Sequence, residues 1–288
     1  MRSYVPNFEM ITPKNLDEAL TLLADRAAGW KPCAGGTDLM VLFEAGKLNH
    51  TKFVNIAALT ELHGIEERSD AIEIKALTTY TDILKHATIQ REFPSLVTAA
   101  ALTGAVAIQN RGTIGGNIVN ASPAADSPPA LLAYDAQVEL ISVKGVRRLA
   151  YADFHKGYKQ MDLQPGELLK SVLLPRTHAE LHHYYRKVGT RRAQAISKVC
   201  FCGVVEREDR IKNIRIALGS VAPIPLRARR TETFLIGKQL SSKIIDEAKK
   251  IIDQEISPID DIRSTAKYRR RVTQNLLEEF LCGTGSTN

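Results

Sequence analysis

The chain has few cysteines and few aromatic residues for its length. Its 288 residues include four cysteines, and aromatic side chains make up 6% of the composition. Cys200 and Cys202 form a C-x-C pair, but no second pair completes the spacing of a zinc site or an iron–sulfur cluster. We therefore expect small buried thiols in a reducing compartment, and no metal centre on this chain.

Long apolar runs and a secretory leader are also absent. No stretch approaches the roughly 18 consecutive apolar residues that a membrane span requires. The first six residues, MRSYVP, contain no apolar segment of a signal peptide. We expect a cytoplasmic protein without a membrane span. The hydrophobic content of 44% and charged content of 25% are ordinary for a globular protein, and the length allows two domains with separate cores.

Several sequence motifs of known chemistry are missing. The chain has no G-x-G-x-x-G and no G-x-x-x-x-G-K-[ST], which excludes the Rossmann and P-loop modes of nucleotide binding. It has no G-x-S-x-G sequence, the turn that carries the catalytic serine in α/β-hydrolases. A Ser–His–Asp triad formed by residues far apart in the sequence stays an open alternative. His182 and His183 are adjacent on a predicted strand, where their side chains point to opposite faces, so they do not form a metal pair.

The net charge of +7 is not arranged for nucleic acid binding. The clustered arginines lie in the last third of the chain, and no aromatic residues alternate with them to stack on bases. We interpret the clusters as a solvated helix face or as a docking surface for an acidic partner. The clusters are Arg227 with Arg229 and Arg230, and the run 269–271.

Residue periodicity predicts an α+β fold that changes in character near Pro175. Asn15, with Glu18 three residues later, is typical of a helix N-terminus. Before Pro175 we predict no regular βαβ alternation. The predicted helices there are 15–24, 39–45, 79–87, 95–102 and 127–134. The predicted strands are 30–34, 52–56, 71–76 and 167–174, and a hairpin is predicted over 136–150. After it we predict three strands, over 184–188, 196–206 and 211–218, and then helices over 227–236, 242–252 and 265–281. This pattern divides the chain into domains over 1–176 and 177–288.

The first glycine-rich segment is Cys33-Ala34-Gly35-Gly36-Thr37-Asp38. It follows a predicted strand and precedes a predicted helix. Successive free N–H groups in such a turn, together with the positive end of the helix, form a site for an anion. The alternative is an ordinary tight turn in which Thr37 or Asp38 caps the helix.

The second glycine-rich segment is residues 113–126, TIGGNIVNASPAAD. It is too small and polar for a core strand and too rich in glycine for a helix, so we predict a loop whose backbone lies close to a polar ligand. Thr113, Asn117, Asn120 and Ser122 offer donors to diphosphate or sugar oxygens. Asp126 could accept from a ligand N–H or hydroxyl, could cap the following helix, or could do both.

These segments together resemble the FAD-binding subunit of the molybdenum hydroxylases, the xanthine dehydrogenase and carbon monoxide dehydrogenase family. The resemblance extends over nearly the whole chain, and the two glycine-rich motifs are specific as a pair. It is carried by AGGTDL at Ala34–Leu39, by Thr113–Asn117 with Asn120–Asp126, by Lys187–Gly189 with Ala195–Val199, and by Arg263–Arg269.

The resemblance implies a fold and a set of FAD contacts. It implies a non-Rossmann FAD-binding domain like that of vanillyl-alcohol oxidase, in two α+β lobes with a boundary near residue 57, and a C-terminal domain with a three-stranded antiparallel sheet and helices. FAD would be bound non-covalently. By matching position, its diphosphate would lie against Pro32, Cys33, Ala34, Gly35, Gly36, Thr37, Asp38 and Leu39. Thr113, Gly116, Asn117, Asn120 and Asp126 would hold the diphosphate, ribityl and adenosine parts, Leu169 would pack near the flavin ring, and Lys187 would lie near its polar edge. Without the resemblance, Lys187 reads as a solvated lysine on an edge strand.

The resemblance also implies a function. The flavin would receive single electrons from a [2Fe–2S] cluster on a small partner subunit, fed by a molybdopterin centre on a large one, and would pass them to NAD, a quinone or another acceptor. The alternatives are a stand-alone flavin-dependent oxidase of the same fold and a non-enzymatic, FAD-bound assembly subunit.

Overall fold

A computed structural model of the chain describes residues 7–177, 181–191 and 194–283. Residues 1–6, on which the predicted location partly rests, lie outside these ranges. Three main sheets follow one another along the chain, and we call them the N-terminal, central and C-terminal sheets.

The N-terminal sheet is parallel, with strand order β1-β3-β2. Two helices connect its strands in regular alternation, so the prediction of no βαβ alternation is wrong for this part. The reason is β1, a short and largely exposed strand whose residues carry no strand pattern. Asn15 caps α1 as predicted, because its side-chain oxygen accepts from the Glu18 amide. The elements are β1 (Glu9–Ile11), α1 (Leu16–Ala24), β2 (Lys31–Cys33), α2 (Thr37–Glu44) and β3 (Lys52–Asn55).

The central sheet has five antiparallel strands in the order β4-β5-β10-β6-β7. The predicted hairpin over 136–150 is present as its β6–β7 pair. Six short helices precede β6, and a separate two-stranded hairpin, β8–β9, follows β7. The elements are β4 (Ile65–Glu67), β5 (Ala71–Lys75), α3 (Tyr80–Lys85), α4 (Ala87–Glu92), α5 (Pro94–Ala101), α6 (Val106–Gln109), α7 (Ile114–Val119), α8 (Ser127–Ala133), β6 (Gln137–Ser142), β7 (Gly145–Ala150), β8 (His155–Gly157), β9 (Gln160–Met161) and β10 (Leu168–Pro175).

The C-terminal sheet has four antiparallel strands, not the three that were predicted. The fourth, β14, is two residues long and lies between prolines and a helix, so no alternation marks it in the sequence. Arg227, which was predicted to begin a helix, pairs in this strand with Ala217. The elements are β11 (His182–Val188), β12 (Val199–Arg207), β13 (Ile211–Gly219), β14 (Leu226–Arg227), α9 (Arg229–Leu235), α10 (Ser242–Glu255) and α11 (Ala266–Gly283).

The largest apolar core crosses from the central sheet to the C-terminal sheet. Helix α8 is buried along its whole length and packs against β12 and β13. Cys202, Val204 and Ala217 of those strands therefore belong to the same buried cluster as Ile72 and Leu131. The central and C-terminal sheets thus meet through apolar packing.

The arginine clusters have a structural role that the sequence analysis did not predict. Arg227 is buried between Glu232 and Asp135, and Arg269 is buried with hydrogen bonds to Lys198 O, Ser220 O and Asp261 Oδ1. Neither cluster therefore forms a simple solvated face or a continuous docking surface.

Two further observations concern the cysteines and the helices. Cys200 and Cys202 are buried thiols as expected, whereas Cys33 is half-buried and Cys282 is exposed. None of the helices in the described ranges combines the length and apolar character that a membrane span needs.

Candidate functional site

A large cavity, of about 1350 Å³, opens where all three main sheets come close together. Its wall includes both glycine-rich segments, Leu169 of β10, and loops that follow the strands of the C-terminal sheet. All the predicted FAD-binding residues line this cavity except Cys33 and Lys187. Cys33 lies at the end of β2, is half-buried, and is not part of the cavity wall.

The first glycine-rich segment presents free backbone amides to the cavity. Gly36 is the N-cap of α2, has a φ of +75°, and leaves the helix without a side-chain cap. The predicted capping by Thr37 or Asp38 is therefore wrong. The amides of Thr37, Asp38 and Leu39 lie in the first turn, where no carbonyl of the helix can accept from them. No other hydrogen-bond acceptor for these three amides is found among the described residues. This helix end, with its positive dipole, suits an anion.

The second glycine-rich segment is partly helical, so its prediction as a loop is wrong. Thr113 caps α7 by accepting from the Gly116 amide at 3.0 Å. The Gly115 amide donates to Ala76 O at 2.9 Å, and a Cβ at Gly115 would lie 2.7 Å from Ala76. The glycines here allow the helix to pack closely on the end of β5, and this tertiary contact outweighs their low helix propensity.

Asparagine side chains of α7 reach the cavity wall. Asn117 lines the cavity, and its Oδ1 is buried without a hydrogen-bond partner among the described residues. Asn120, at the end of the helix, also lines the cavity and accepts from Lys159 through its side-chain oxygen at 2.7 Å. The second glycine-rich segment therefore offers an unpaired acceptor.

The first glycine-rich segment contacts Arg111, two residues before the second segment begins. A Cβ at Gly35 would lie 1.8 Å from Arg111 O, so only glycine fits there. Arg111 also donates from Nε to Gly35 O at 3.3 Å. The contact fixes the free amides of α2 relative to α7 across one end of the cavity.

Asp126 is the other unpaired acceptor of the wall. Its side chain does not cap α8, because no amide of that helix donates a hydrogen bond to it. Its Oδ2 lies 2.7 Å from Lys187 Nζ, whereas its Oδ1 is buried and has no hydrogen-bond partner in the described part of the chain. Burial raises the pKa of Asp126 to about 6, and the nearby Lys187 ammonium limits that increase.

Lys187 is neither solvated nor part of the cavity wall. Its side chain is 5% exposed, and Nζ donates to Leu102 O at 2.9 Å and to Asp126 Oδ2. Its strand lies at the edge of the C-terminal sheet, but α5 covers it. Lys187 therefore reaches the cavity only through Asp126.

Sequence reasoning missed several wall residues. Tyr80 is fully buried on the wall, and burial raises the pKa of its hydroxyl far above the usual range. Ile108 of α6, together with Ile196 and Ile259 of two loops, adds apolar surface. Ile196 lies in the Ala195–Val199 motif but no site role was assigned to it, and Tyr80, Ile108 and Ile259 lie outside the motifs, so the fold brings these positions together. Among the described residues, no cluster of three or more His, Cys, Asp or Glu side chains could hold a metal ion.

Comparison with known proteins gives the class of the chain and then its family. Residues 6–177 match the model of the FAD binding domain in molybdopterin dehydrogenase, and residues 183–283 match that of the CO dehydrogenase flavoprotein C-terminal domain. The chain is thus an FAD-binding flavoprotein of oxidoreductase type. It belongs to the flavoprotein subunits of the molybdenum hydroxylases, the carbon monoxide dehydrogenase and xanthine dehydrogenase type.

Curated relatives and solved structures cover almost the whole chain. The glyceraldehyde dehydrogenase medium chain of Sulfolobus acidocaldarius is 31% identical over 95% of this chain and 96% of its own length. The xanthine dehydrogenase FAD-binding subunit of Escherichia coli O157:H7 is 29% identical over 92% of each chain. Carbon monoxide dehydrogenase from Hydrogenophaga pseudoflava, solved without the Mo-pyranopterin moiety of its cofactor, superposes with a TM-score of 0.92 at 28% identity over 97% of each chain.

The cavity wall fits FAD in its chemistry. The unbound amides at the start of α2 suit phosphate oxygens. The unpartnered oxygens of Asn117 and Asp126 suit hydroxyl or N–H donors, of which the cofactor has several. Apolar side chains such as Leu169 suit a planar ring.

Proposed function

We propose that FAD binds non-covalently in this cavity and that the chain is the electron-transfer subunit of a larger molybdenum hydroxylase. The observation that carries the proposal is that free hydrogen-bond donors and free hydrogen-bond acceptors line the same cavity. The free N–H groups at the start of α2 and the unpartnered oxygens of Asn117 and Asp126 all belong to residues that line the cavity. A ligand with both phosphate groups and hydrogen-bond donors satisfies all of them.

Each part of the wall then has a definite task. The amides of residues 37–39 bind phosphate oxygens, and the Gly35–Arg111 contact holds them in place. Asn117 and Asp126 accept hydrogen bonds from the cofactor, and Lys187 holds the Asp126 carboxylate at the wall. Leu169 packs against the apolar part of the ligand. When bound, FAD supplies the redox chemistry, since its ring system takes up and releases electrons.

The proposed partners follow from the family. Electrons would arrive singly from a small [2Fe–2S] subunit, a large subunit would carry the molybdopterin, and the acceptor would be NAD or another molecule. The names of the relatives cite glyceraldehyde, xanthine and carbon monoxide, a diversity that suits a subunit that does not itself bind the oxidised substrate. A vanillyl-alcohol-oxidase-like fold, domain boundaries near residues 57 and 177, and a cytoplasmic location complete the proposal.

The first test is the visible spectrum of the purified chain. We expect flavin absorption that moves to the supernatant when the protein is denatured by acid, because the binding is non-covalent. Absorption that stays with the precipitated protein would contradict non-covalent binding. A colourless protein that also fails to take up added FAD would contradict the cavity assignment.

The second test separates the subunit from a stand-alone oxidase. We expect affinity purification from the native host to recover two further chains, one with iron–sulfur clusters and one with molybdopterin. Recovery of the single chain with FAD and a substrate-dependent consumption of oxygen would favour the alternative, a flavin-dependent oxidase of the same fold.

A further inference from the structure

The hairpin β8–β9 reaches the end of helix α7 through Lys159. The Lys159 Nζ donates to the main-chain oxygen of Asn120, and it donates to Asn120 Oδ1 at 2.7 Å. Asn120 is the C-cap of α7, where carbonyl groups lack intrahelical partners and the helix dipole is negative. The ammonium group thus stabilises the helix end and holds the asparagine side chain at once.

The rest of the hairpin fixes the position of Lys159. His155 is buried, and its Nε2 lies 3.0 Å from Ile118 O, so the hairpin contacts α7 at two successive points. Lys159 itself has a φ of +56°, a conformation that turns the chain sharply at the tip. Its neighbour Tyr158 lines the cavity. The hairpin therefore belongs to the surroundings of the cavity, although no sequence motif marks it.

The contact determines which way the Asn120 amide points. An ammonium group has donors only, so the Asn120 oxygen must face Lys159. The Asn120 NH₂ group then points away from Lys159, and no acceptor for it lies in the described residues. Because Asn120 lines the cavity, this free NH₂ is available to a ligand oxygen. Asn117, one turn earlier, presents an acceptor instead.

We propose that Lys159 is a positioning residue for the cofactor: it holds the Asn120 side chain so that its NH₂ group donates to an oxygen of FAD. The inference rests on the proposed placement of FAD in the cavity. Without the ammonium group, the Asn120 amide can rotate or turn over. It would then present its oxygen to the anionic part of the ligand, or it would bind water.

The experiment measures the affinity of the full-length apoprotein for FAD by titration and flavin fluorescence. We expect Lys159→Met to weaken binding about tenfold, the usual effect of losing one hydrogen bond that involves a charged group. Lys159→Arg should restore most of the affinity, because a guanidinium group also donates. Lys156→Met is the matched control. Lys156 lies on the same hairpin with a half-exposed side chain, and it is 3.6 Å from Asp162.

A double-mutant cycle separates positioning from a direct effect of the charge. Asn120→Ala should weaken FAD binding, and adding Lys159→Met in that background should change it by less than about twofold. An undiminished tenfold loss in the Asn120→Ala background would overturn the proposal, because Lys159 would then act on the cofactor without Asn120. Unchanged affinity in Lys159→Met would overturn it as well.

One further variant tests the positioning role of Lys159 separately from the binding of FAD in the cavity. If Asn117→Leu weakens FAD binding while Asn120→Ala and Lys159→Met do not, the positioning role is wrong and the cavity assignment stands. If all three variants bind FAD as the unchanged chain does, the cavity assignment itself fails. If Lys159→Met and Lys156→Met have equal thermal stability, then unfolding is not the cause of the loss of FAD affinity in Lys159→Met.

Discussion

The Asp126 carboxylate and the Lys187 ammonium group form an ion pair of 2.7 Å, with both side chains at most one-tenth exposed. The pair uses one carboxylate oxygen and leaves the other, Oδ1, buried at the cavity wall without a partner from residues 7–177, 181–191 or 194–283. A buried acceptor of this kind costs free energy in the empty protein. A cofactor that donates to Oδ1 would remove that cost.

We expect FAD affinity to fall as the pH decreases through about 6. Burial places the pKa of Asp126 near 6, so the carboxyl group takes up a proton below that value. The ionised form accepts a hydrogen bond from FAD more strongly, so the affinity should decrease by up to about tenfold for each pH unit below the pKa. Titrations from pH 5 to 8 measure this, and Asp126→Asn should bind weakly with little pH dependence. A flat profile in the unchanged protein would contradict a role for Oδ1.

The same carboxyl group predicts how the stability of the empty protein changes with pH. Its pKa is near 6 in the folded chain and about 3.8, the ordinary value, in the unfolded chain. The folded state therefore holds the extra proton between these values, and the stabilisation from Asp126 is complete below pH 3.8. It is lost as the pH rises towards 6. The free energy of unfolding, measured with denaturant, should decrease less between pH 4 and pH 6.5 in Asp126→Asn than in the unchanged chain.

Asn117→Leu should weaken FAD binding without destabilising the protein. The substitution replaces a buried, unpaired oxygen by an apolar group of similar size, so we expect the melting temperature of the apoprotein to stay the same or rise. FAD binding should weaken about tenfold or more, since a cofactor donor loses its acceptor. Tyr151→Phe is the control. It removes another unpartnered buried oxygen, away from the cavity wall, and should leave FAD binding intact.

Gly35→Ala should separate the first glycine-rich segment from Arg111, which lies two residues before the second. The new methyl group would meet the Arg111 carbonyl, a backbone atom that no side-chain rotation can move, and we expect a loss of about 1–3 kcal/mol together with most of the bound FAD. Gly46→Ala is the control at the other end of α2. Gly46 has a φ of +64° and open space around it, so alanine should cost about 1 kcal/mol in strain without affecting FAD. Equal flavin content in both variants would contradict the proposed arrangement.

Arg227→Met should destabilise the protein, whereas Arg271→Met should not. Arg227 is buried against Glu232, Asp135 and Leu132 O, so its removal leaves a buried carboxylate unpaired, at a cost of about 3–5 kcal/mol. Arg271 is exposed on α11, and its replacement should change the stability by less than about 0.5 kcal/mol. Chemical denaturation measures both. Similar small effects would mean that the first arginine cluster is available for docking after all.

The sequence was most informative where a local motif has a local structural consequence. The glycine turn at 35–36 and the capping signal at Asn15 were recognisable because both depend on a few adjacent residues. The sequence predicts a ligand contact over Thr113–Asp126 but not the helix within it. The low helix propensity of glycine disfavours a helix there, but the close packing of Gly115 on Ala76 stabilises one.

Other features depend on residues far apart in the chain. Lys187 was read either as solvated or as a flavin contact, and it is a buried partner of Asp126, sixty-one positions away. Lys159 and Asn120 are separated by thirty-nine positions, and nothing in either segment indicates the other. The short strands β1 and β14 carry too few residues to show alternation. These contacts arise from the arrangement of the sheets, which no single-sequence pattern specifies.

The shared apolar core beneath α8 has a consequence for how the chain acquires its cofactor. Cys202 and Ala217 complete the same core as Ile72 and Leu131, so the portions matched by the two family models share one buried cluster. The cavity wall takes residues from both portions and exists only after they have joined. Cofactor loading is therefore a late event in maturation, and the chain is expected to melt in a single cooperative transition whose midpoint rises with FAD concentration.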